Sequence, residues 1–336
     1  MNSPEILERA RLLVEPAMAV AVEGLCAELG LPARYHLGWV EVDGSPSTVG
    51  AGKGLRPALA VLSAEAVGAS SEVALPGAVA VELLHNFSLI HDDIIDGDIE
   101  RRHRATTWAV FGTEDAIISG DALHNLAFQV LLGEATPERV AATACLVQAT
   151  SAMLAGQAAD MAFDDLPVVS FGDCLAMEAD KTGALLGCAA SIGAVLAGAT
   201  QETVAALEFF GSELGLAFQA IDDVLGIWGD PAVTGKAAGN DLRKRKKSMP
   251  VAVVLAGSSS GATDLAAIYD QPGDLSTDDV AQATEIIEAA GGRERTETEA
   301  SDRLKSALAS IDGLAIPVAV DEEIRNLARF VVQRNF

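Results

Sequence analysis

Apolar and polar positions alternate along this chain with the spacing of helices, and no stretch shows the two-residue alternation of a half-buried strand. Residues 4–30 read as an amphipathic helix that Pro4 opens and Gly30-Leu31-Pro32 closes. Residues 34–50, rich in Gly, Ser and Pro, read as a loop. A helix over about 57–69 follows, with Pro57 in its first turn, where a missing N–H costs nothing. The pattern predicts further helices over 76–98, 115–133, 138–161, 173–198, 201–228, 278–291 and 294–312, and a C-terminal segment from Ile324 to Phe336. An apolar helix resumes after Pro250. The stretch 257–278, with Ser258-Ser-Ser-Gly and Gln271-Pro-Gly-Asp, is the most loop-like part of the chain. No internal repeat and no linker divides it, so one all-α domain, a helical bundle, is the expected fold class.

Two of these helices carry carboxylates where apolar residues would be expected. At about 100° per residue, His85, Asp92 and Asp96 fall within about 40° of one another, with Asp93 adjacent. Leu83-Leu84, Leu89-Ile90 and Ile94-Ile95 make the rest of that helix apolar. In 201–228, Gln219, Asp222, Asp223 and Gly226 share a face by the same spacing. A lone histidine on an apolar helix is usually a packed core residue, and an acidic face is usually solvated. Ionised carboxylates are costly to bury without a compensating cation, so two such clusters in apolar surroundings point to a held cation. Hard oxygen ligands suit Mg²⁺, which binds one or two carboxylates together with substrate phosphates. Between the two helices, Asp180-Lys181-Thr182-Gly183 interrupts an Ala/Leu/Gly run, where a kink carrying functional groups is expected.

Charge sharpens this picture. Of 336 residues, 23 are Lys or Arg against 48 Asp or Glu, a formal charge of −25. Such a chain is not built to recruit nucleic acid, nor to adsorb to anionic lipid by electrostatics. Against that background the basic groups stand out: Lys53 and Arg56 just before a helix N-terminus, Arg101, Arg102 and Arg104 after the first acidic cluster, then Lys181, Lys236 and the run Arg243 to Lys247. A charge run alone is usually a solvated segment. Here there are more cations than one diphosphate needs, so two anionic substrates are expected, with apolar remainders to suit the apolar helices. No GxSxG, P-loop or strand–helix GxGxxG is present. A metal–diphosphate clamp beside a hydrophobic trough, with no nucleophile motif, points to ionisation of an allylic diphosphate. Cys26, Cys145, Cys174 and Cys188 are scattered without metal or redox spacing, which reads as free thiols in a reducing compartment. The N-terminus lacks a basic stretch followed by an apolar core, and apolar runs such as Gly183 to Ala199 fall short of the roughly 20 large apolar residues a spanning helix needs. A cytoplasmic location without membrane insertion is the expectation.

The ordered set Gly52-Lys53-x-x-Arg56-Pro57, His85, Asp92-Asp93-x-x-Asp96, Arg101-Arg102, Lys181-Thr182, Gln219-x-x-Asp222-Asp223, Lys236 and Asp241 leading to Lys246 resembles the trans-isoprenyl diphosphate synthases, or polyprenyl synthetases, most of all the bacterial geranylgeranyl diphosphate synthase type. The resemblance runs from about residue 50 to 250. It implies a helical bundle of the isoprenoid synthase type around a central hydrophobic cavity, Mg²⁺ as cofactor, and a homodimer. It implies that Lys53, Arg56, His85 and Arg102 hold the diphosphate of isopentenyl diphosphate. Arg101, Lys181, Lys236 and Lys246 would grip the diphosphate of a dimethylallyl, geranyl or farnesyl starter, with Mg²⁺ on Asp92, Asp96 and Asp222. Asp93 and Asp223 would support those ligands, and Thr182 and Gln219 would present oxygens to the developing allylic cation.

Two positions depart from the family pattern. The second acidic motif usually ends in a third Asp four residues after the first, and here that position is Gly226; Asp230 or water is a candidate substitute. The usual basic residue at position 54 is also a glycine. Product length is expected from the residues before the first acidic motif: Phe87 is large, Ser88 small, and Leu84 a further candidate for the floor of the trough. This pattern is like that of C20-producing members, with farnesyl or longer products as alternatives. Phe87 lies about 140° around the helix from Asp92, which makes it a side wall, or simply a packing residue. A terpene cyclase of related architecture would use one diphosphate substrate, against the Lys53/Arg56/His85/Arg102 set, and an inactive regulatory subunit would have no need of the intact acidic pairs.

Overall fold

Helix α4, Leu75–Ile95, shows how local chemistry fixes the first acidic cluster. Pro76 sits in its first turn, and 11 of its 21 residues are buried. Gly97 ends it, with φ of 65°. Its N–H donates to the Ile94 carbonyl, and Asp98 N–H donates to the Asp93 carbonyl at 2.9 Å. This left-handed glycine cap satisfies the last carbonyls of the helix. It closes α4 immediately after Asp96, so Asp92 and Asp96 flank its final turn.

The computed structural model describes residues 4–47, 52, 54–230 and 239–332; Lys53 and Lys236 lie outside the described residues. The architecture is all-α. The helices before α4 are α1 (Glu5–Glu23), α2 (Ala27–His36) and α3 (Leu55–Ala66). After it come α5 (Thr107–Phe111), α6 (Thr113–Leu132), α7 (Pro137–Phe163), α8 (Phe171–Glu178), α9 (Ala184–Leu196) and α10 (Gln201–Trp228). The remainder are α11 (Asn240–Arg243), α12 (Met249–Leu255), α13 (Ser260–Tyr269), α14 (Thr277–Ala289), α15 (Gly292–Ser310) and α16 (Val318–Val332). The break expected at Gly30-Leu31-Pro32 falls earlier. Chain reversal occurs at Gly24 to Cys26, and α2 continues through Gly30 and Pro32 to His36. The supposed loop 257–278 contains α13, whose N-cap Ser259 accepts the Ala262 N–H at 3.2 Å. The serine run there caps a helix, a role whose residues are the same as those of a loop.

Two units make up the fold, and their segments alternate along the chain. The first comprises residues 1–150, 188–208 and 313–327, the second 151–187, 209–312 and 328–336. In the first, α4 packs on α3, α6 and α1. Leu59, Leu62, Leu83, Leu84, Leu123 and Leu131 are almost wholly removed from water. Each such side chain contributes about 1.5–3 kcal/mol by burial. Backbones approach closely where α9 meets α3: a Cβ on Gly193 would lie 2.1 Å from the Ala60 carbonyl oxygen, and Gly193 N–H donates to Ser63 Oγ at 3.0 Å. After α4 a two-stranded hairpin, β1 (Glu100–Arg101) and β2 (Arg104–Ala105), turns through Arg102 and His103, both with positive φ.

In the second unit one apolar cluster joins Ile227, Leu242, Val251, Leu265, Ile268, Val280 and Ile287. Another joins Phe163, Met177, Ile221, Leu225 and Met249. Residues 179–183, between α8 and α9, form a π-helical turn. It falls at the predicted polar interruption, and π turns of this kind recur at functional sites.

Three helical segments, Ser71–Ile95, Pro137–Phe163 and Gln201–Trp228, are long and apolar enough to cross a membrane by length and composition alone. Acidic and small residues interrupt each of them, so none stands out as an unbroken apolar run in the sequence. The most apolar window of the first is 61% buried within the fold.

Candidate active site

In the first unit the basic residues converge on α4. A Cβ on Gly52 would lie 2.7 and 2.9 Å from the two terminal nitrogens of Arg102, so the guanidinium rests on the bare glycine backbone. Arg56, Arg101 and Arg102 all act on His85, whose pKa falls well below its ordinary value, through burial first and these cations second. His85 is therefore neutral, able to donate one N–H to an anion without adding charge. Burial lowers Arg56 to about 10, with Glu82 opposing the shift, and it remains a cation at neutral pH.

The acidic run beside them divides into two kinds. Asp93 is 1% exposed and accepts from Arg101 Nε at 2.7 Å. Burial still pushes its carboxyl up to about 6, with Arg101 pulling the other way, and its Oδ2 is buried without a hydrogen-bond partner. Asp92 and Asp96 are half-buried at the end of α4. They are the members of the run with access to a ligand.

In the second unit, Gly156 lets α7 approach the π turn: a Cβ there would lie 2.3 Å from Lys181 N. A Cβ on Gly215 would likewise lie 2.8 Å from the Gly183 Cα. These small residues place Lys181 and Thr182 against neighbouring helices, and the Lys181 ammonium pairs with Asp160. Thr182 Oγ1 donates to Gln219 Oε1 at 3.1 Å, and Gln219 Nε2 donates to Asp223 Oδ1 at 3.0 Å. Asp223 Oδ2 accepts the Met249 N–H at 2.8 Å. Asp223 thus caps the N-terminus of α12, where a carboxylate meets unpaired N–H groups and the positive end of the helix dipole. Burial nevertheless raises its pKa. Asp222, one residue earlier, is half-buried.

The two acidic runs share one design. The buried member of each, Asp93 or Asp223, is spent on internal hydrogen bonds, and the half-buried members, Asp92, Asp96 and Asp222, are hard oxygen donors of the kind Mg²⁺ takes. The residues present fit the metal. Among the described residues, one compact trio of possible metal ligands is Cys174, Glu178 and Asp223. It does not read as a metal site: Cys174 Sγ donates to the Lys247 carbonyl, and both Asp223 oxygens are in use.

The structure adds residues the motifs did not single out. Asp160 partners Lys181. Glu178, fully enclosed near Asp223, Lys181 and Lys246, has its pKa raised by burial and then by Asp223. Glu82 sits between Arg56 and Arg102 in the electrostatics of the first unit. His36, at the end of α2, lines a small cavity of about 40 Å³ with Asp93, Arg101, Arg102 and Arg104. The sequence signal for Glu82 and Glu178 was a charged residue inside an apolar helix, the same signal that marked Asp92.

Phe87 is buried, 6% exposed, and its ring stands edge-on to His91 at 4.7 Å and to His124 of α6 at 4.9 Å. It lies in an aromatic layer between α4 and α6.

Comparison with known proteins accords with this geometry. The model of the family described as polyprenyl synthetase matches residues 45–287. The chain is 44% identical over 308 residues to a geranylgeranyl diphosphate synthase of Mycobacterium tuberculosis, covering 91% of this chain and 88% of the relative. It is 41% identical over 332 residues to a (2E,6E)-farnesyl diphosphate synthase of the same organism, covering 98% and 92%. The crystal structure of a polyprenyl synthetase from Streptomyces coelicolor superposes with a TM-score of 0.94 at 48% identity, over 98% of this chain and 99% of that one. A geranylgeranyl pyrophosphate synthase from Corynebacterium glutamicum, solved with isoprenyl diphosphate and magnesium, gives a TM-score of 0.83 at 28% identity over 100% of both chains. Fold, ordered motifs and relatives agree, and the chain belongs to the polyprenyl synthetase family, the trans-isoprenyl diphosphate synthases.

Proposed function

We propose that this prenyltransferase joins isopentenyl diphosphate to an allylic diphosphate, dimethylallyl, geranyl or farnesyl, and that its all-trans product is the C20 geranylgeranyl diphosphate. The observation that carries the reading is the presence of two distinct cationic groups. In the first unit Arg102 rests on Gly52, and Arg56 and Arg102 both act on the neutral His85. Lys181 joins Thr182 and Gln219 in the second, with Lys246 close enough to act on Glu178. A terpene cyclase has one diphosphate to hold and no use for the first group.

In this scheme Asp92, Asp96 and Asp222 would hold Mg²⁺, which when bound neutralises charge on the departing diphosphate. Lys181, Lys236, Lys246 and Arg101 bind that same diphosphate, and preorganised cations of this kind supply the larger part of such catalysis. The allylic C–O bond breaks with its electron pair on the diphosphate. Thr182 spends its hydroxyl hydrogen on Gln219, leaving oxygen lone pairs to stabilise the allylic cation. Lys53, Arg56, His85 and Arg102 hold isopentenyl diphosphate so that its double bond attacks the cation. The new C–C bond forms, a proton leaves the adjacent carbon to restore the double bond, and the departed diphosphate takes it.

The C20 length rests on Phe87 at five positions before Asp92 and on the geranylgeranyl-type relatives; the farnesyl-type relative makes a C15 product the alternative. Exposed apolar side chains of the first unit, Ile117 and Ile118 on α6 and Val140 and Val147 on α7, support a homodimer. We read the two units as one domain because their segments alternate along the chain, and we place the enzyme in the cytoplasm on its scattered free thiols. Separate titrations of the two substrates test the core of the scheme. Lys181→Ala should raise the KM for the allylic diphosphate about 10-fold or more, the weight of a charge-assisted hydrogen bond, and Arg56→Ala should do so for isopentenyl diphosphate. Equal effects of both variants on both substrates would contradict two separate diphosphate groups.

A further inference from the structure

Lys246 sits inside the basic run Arg243 to Lys247, and the side chains on either side of it are spent on the protein itself. Lys247 Nζ donates to the Phe163 carbonyl at 2.7 Å and to the Asp164 carbonyl at 3.2 Å, at the C-terminal end of α7. A cation there meets unpaired carbonyls and the negative end of the helix dipole. Arg245 reaches a different segment. Its Nη2 donates to the Gln271 carbonyl at 2.9 Å and to the Gly273 carbonyl, in the turn after α13.

The backbone between these anchors is a helix cap with an unexpected residue in it. The short helix α11 ends in the paired bonds of a Schellman motif: Lys246 N–H donates to the Asp241 carbonyl and Arg245 N–H to the Leu242 carbonyl, both at 2.9 Å. That motif puts one residue in the left-handed region, and here the residue is Arg245, with φ of 50°. Glycine takes this conformation freely. A residue with a Cβ is strained there and persists only where surrounding contacts hold it. For Arg245 those contacts are the two carbonyls beyond α13. Lys246 follows directly, so the Arg245 backbone sets the direction in which it leaves the cap. The Lys246 carbonyl accepts the Tyr269 hydroxyl at 3.3 Å, which pins the chain on the other side of its Cα.

We propose that Arg245 is a positioning residue for the allylic diphosphate: its guanidinium holds the left-handed step of the α11 cap, and that step aims Lys246 at the ligand. Arg245 acts through Lys246 and binds no substrate itself. With its guanidinium committed to the carbonyls at 271 and 273, the site uses its backbone conformation and not its charge. The proposal rests on the assignment of Lys246 to the allylic diphosphate and adds what orients it.

Separate substrate titrations on full-length variants test it. Arg245→Ala and Arg245→Gly remove the same charge and the same anchor, and differ in how readily position 245 takes the left-handed conformation. Arg245→Ala should raise the KM for the allylic diphosphate about 10-fold, the weight of one charge-assisted hydrogen bond, and leave that for isopentenyl diphosphate unchanged. Arg245→Gly and Arg245→Asn, whose new residues accept the left-handed region, should stay within a few-fold of wild type. Circular dichroism melting of every variant reports folding. Wild-type KM values in Arg245→Ala, or an equal rise for both substrates, would overturn the proposal. So would Gly and Asn variants as impaired for the allylic substrate as a lost charge contact predicts, and that result stands whether or not the Ala variant folds. Lys246→Ala separates the two levels. An unchanged allylic KM there means that Lys246 does not hold that diphosphate, and the proposal falls with it; a rise there with none in Arg245→Ala refutes the positioning role alone.

Discussion

Arg101 donates from Nε to Asp93 Oδ1 at 2.7 Å, and that carboxylate is 1% exposed. Three aspartates in a five-residue run therefore do different jobs. Asp93 anchors the hairpin arginine to α4, whereas Asp92 and Asp96 stay half-buried at the helix end. Removing one partner of a buried ion pair costs about 3 kcal/mol or more. Asp93→Ala should show that loss in chemical denaturation. Asp92→Ala should keep its stability and lose roughly 10²- to 10³-fold in kcat, the scale of deleting an electrostatic catalytic contact. Asp98→Ala should keep most of both, because Asp98 lies outside the i, i+4 pair and the substitution keeps its backbone carbonyl, which accepts from Thr106 Oγ1 and Trp108 Nε1, each at 2.8 Å. Similar activity losses at 92 and 98 would refute the metal assignment.

Lys181 is positioned by a glycine on another helix. With Lys181 N only 2.3 Å from where a Cβ on Gly156 would sit, Gly156→Ala must push the π turn away from α7. Overpacking of this kind costs about 1–3 kcal/mol. The same displacement should raise the KM for the allylic substrate and leave that for isopentenyl diphosphate unchanged. Substrate titrations and a melting curve on one variant check both halves.

Acid stability should carry the mark of His36. Burial, then Arg101 and Arg102, hold its imidazole down to about 3, against roughly 6.5 in an unfolded chain. Between those values the unfolded chain binds more protons than the fold. The stability from keeping His36 neutral is complete above pH 6.5 and lost as pH falls through that window. His85 shifts in the same direction. Asp93 and Asp223, raised by burial, act oppositely and favour the fold as they protonate. His36→Gln removes one titrating group, so the gap in denaturation midpoint between wild type and variant should change steadily, to wild type's disadvantage, from about pH 7 down to about pH 4. A gap that does not vary with pH would show that His36 does not titrate in this way.

Phe87 stands between α4 and α6, edge-on to His91 and His124. Truncating a buried phenylalanine costs about 3–5 kcal/mol, so Phe87→Ser should melt lower whatever its role. If the ring also limits the growing chain, the variant should release products longer than C20, read by mass spectrometry of the diphosphates. An unchanged product with a lowered melting temperature would leave Phe87 a packing residue alone.

Much of this was legible along the chain because it depends on local spacing. Helix 201–228 has the predicted ends, the polar interruption at Asp180 to Gly183 is the π turn, and the i, i+4 pair Asp92/Asp96 closes α4. Legibility failed where a residue's meaning depends on a distant partner. Ser258 to Gly261 looked like a loop because a cap and a loop use the same residues. Gly226 reads as an open place on the α10 face, whereas the structure packs Asp241 against it through the turn at Gly239. Asp223 has the sequence environment of a metal ligand, and the structure spends it on the first N–H of α12.

The central claim is chain elongation, and product analysis tests it most directly. Purified protein given Mg²⁺, isopentenyl diphosphate and starters of 5, 10 or 15 carbons should convert each to a linear diphosphate, with geranylgeranyl diphosphate the principal end product, and chelation of the metal should stop the reaction. A cyclised hydrocarbon formed from the allylic substrate alone, or no conversion of any starter, would contradict it.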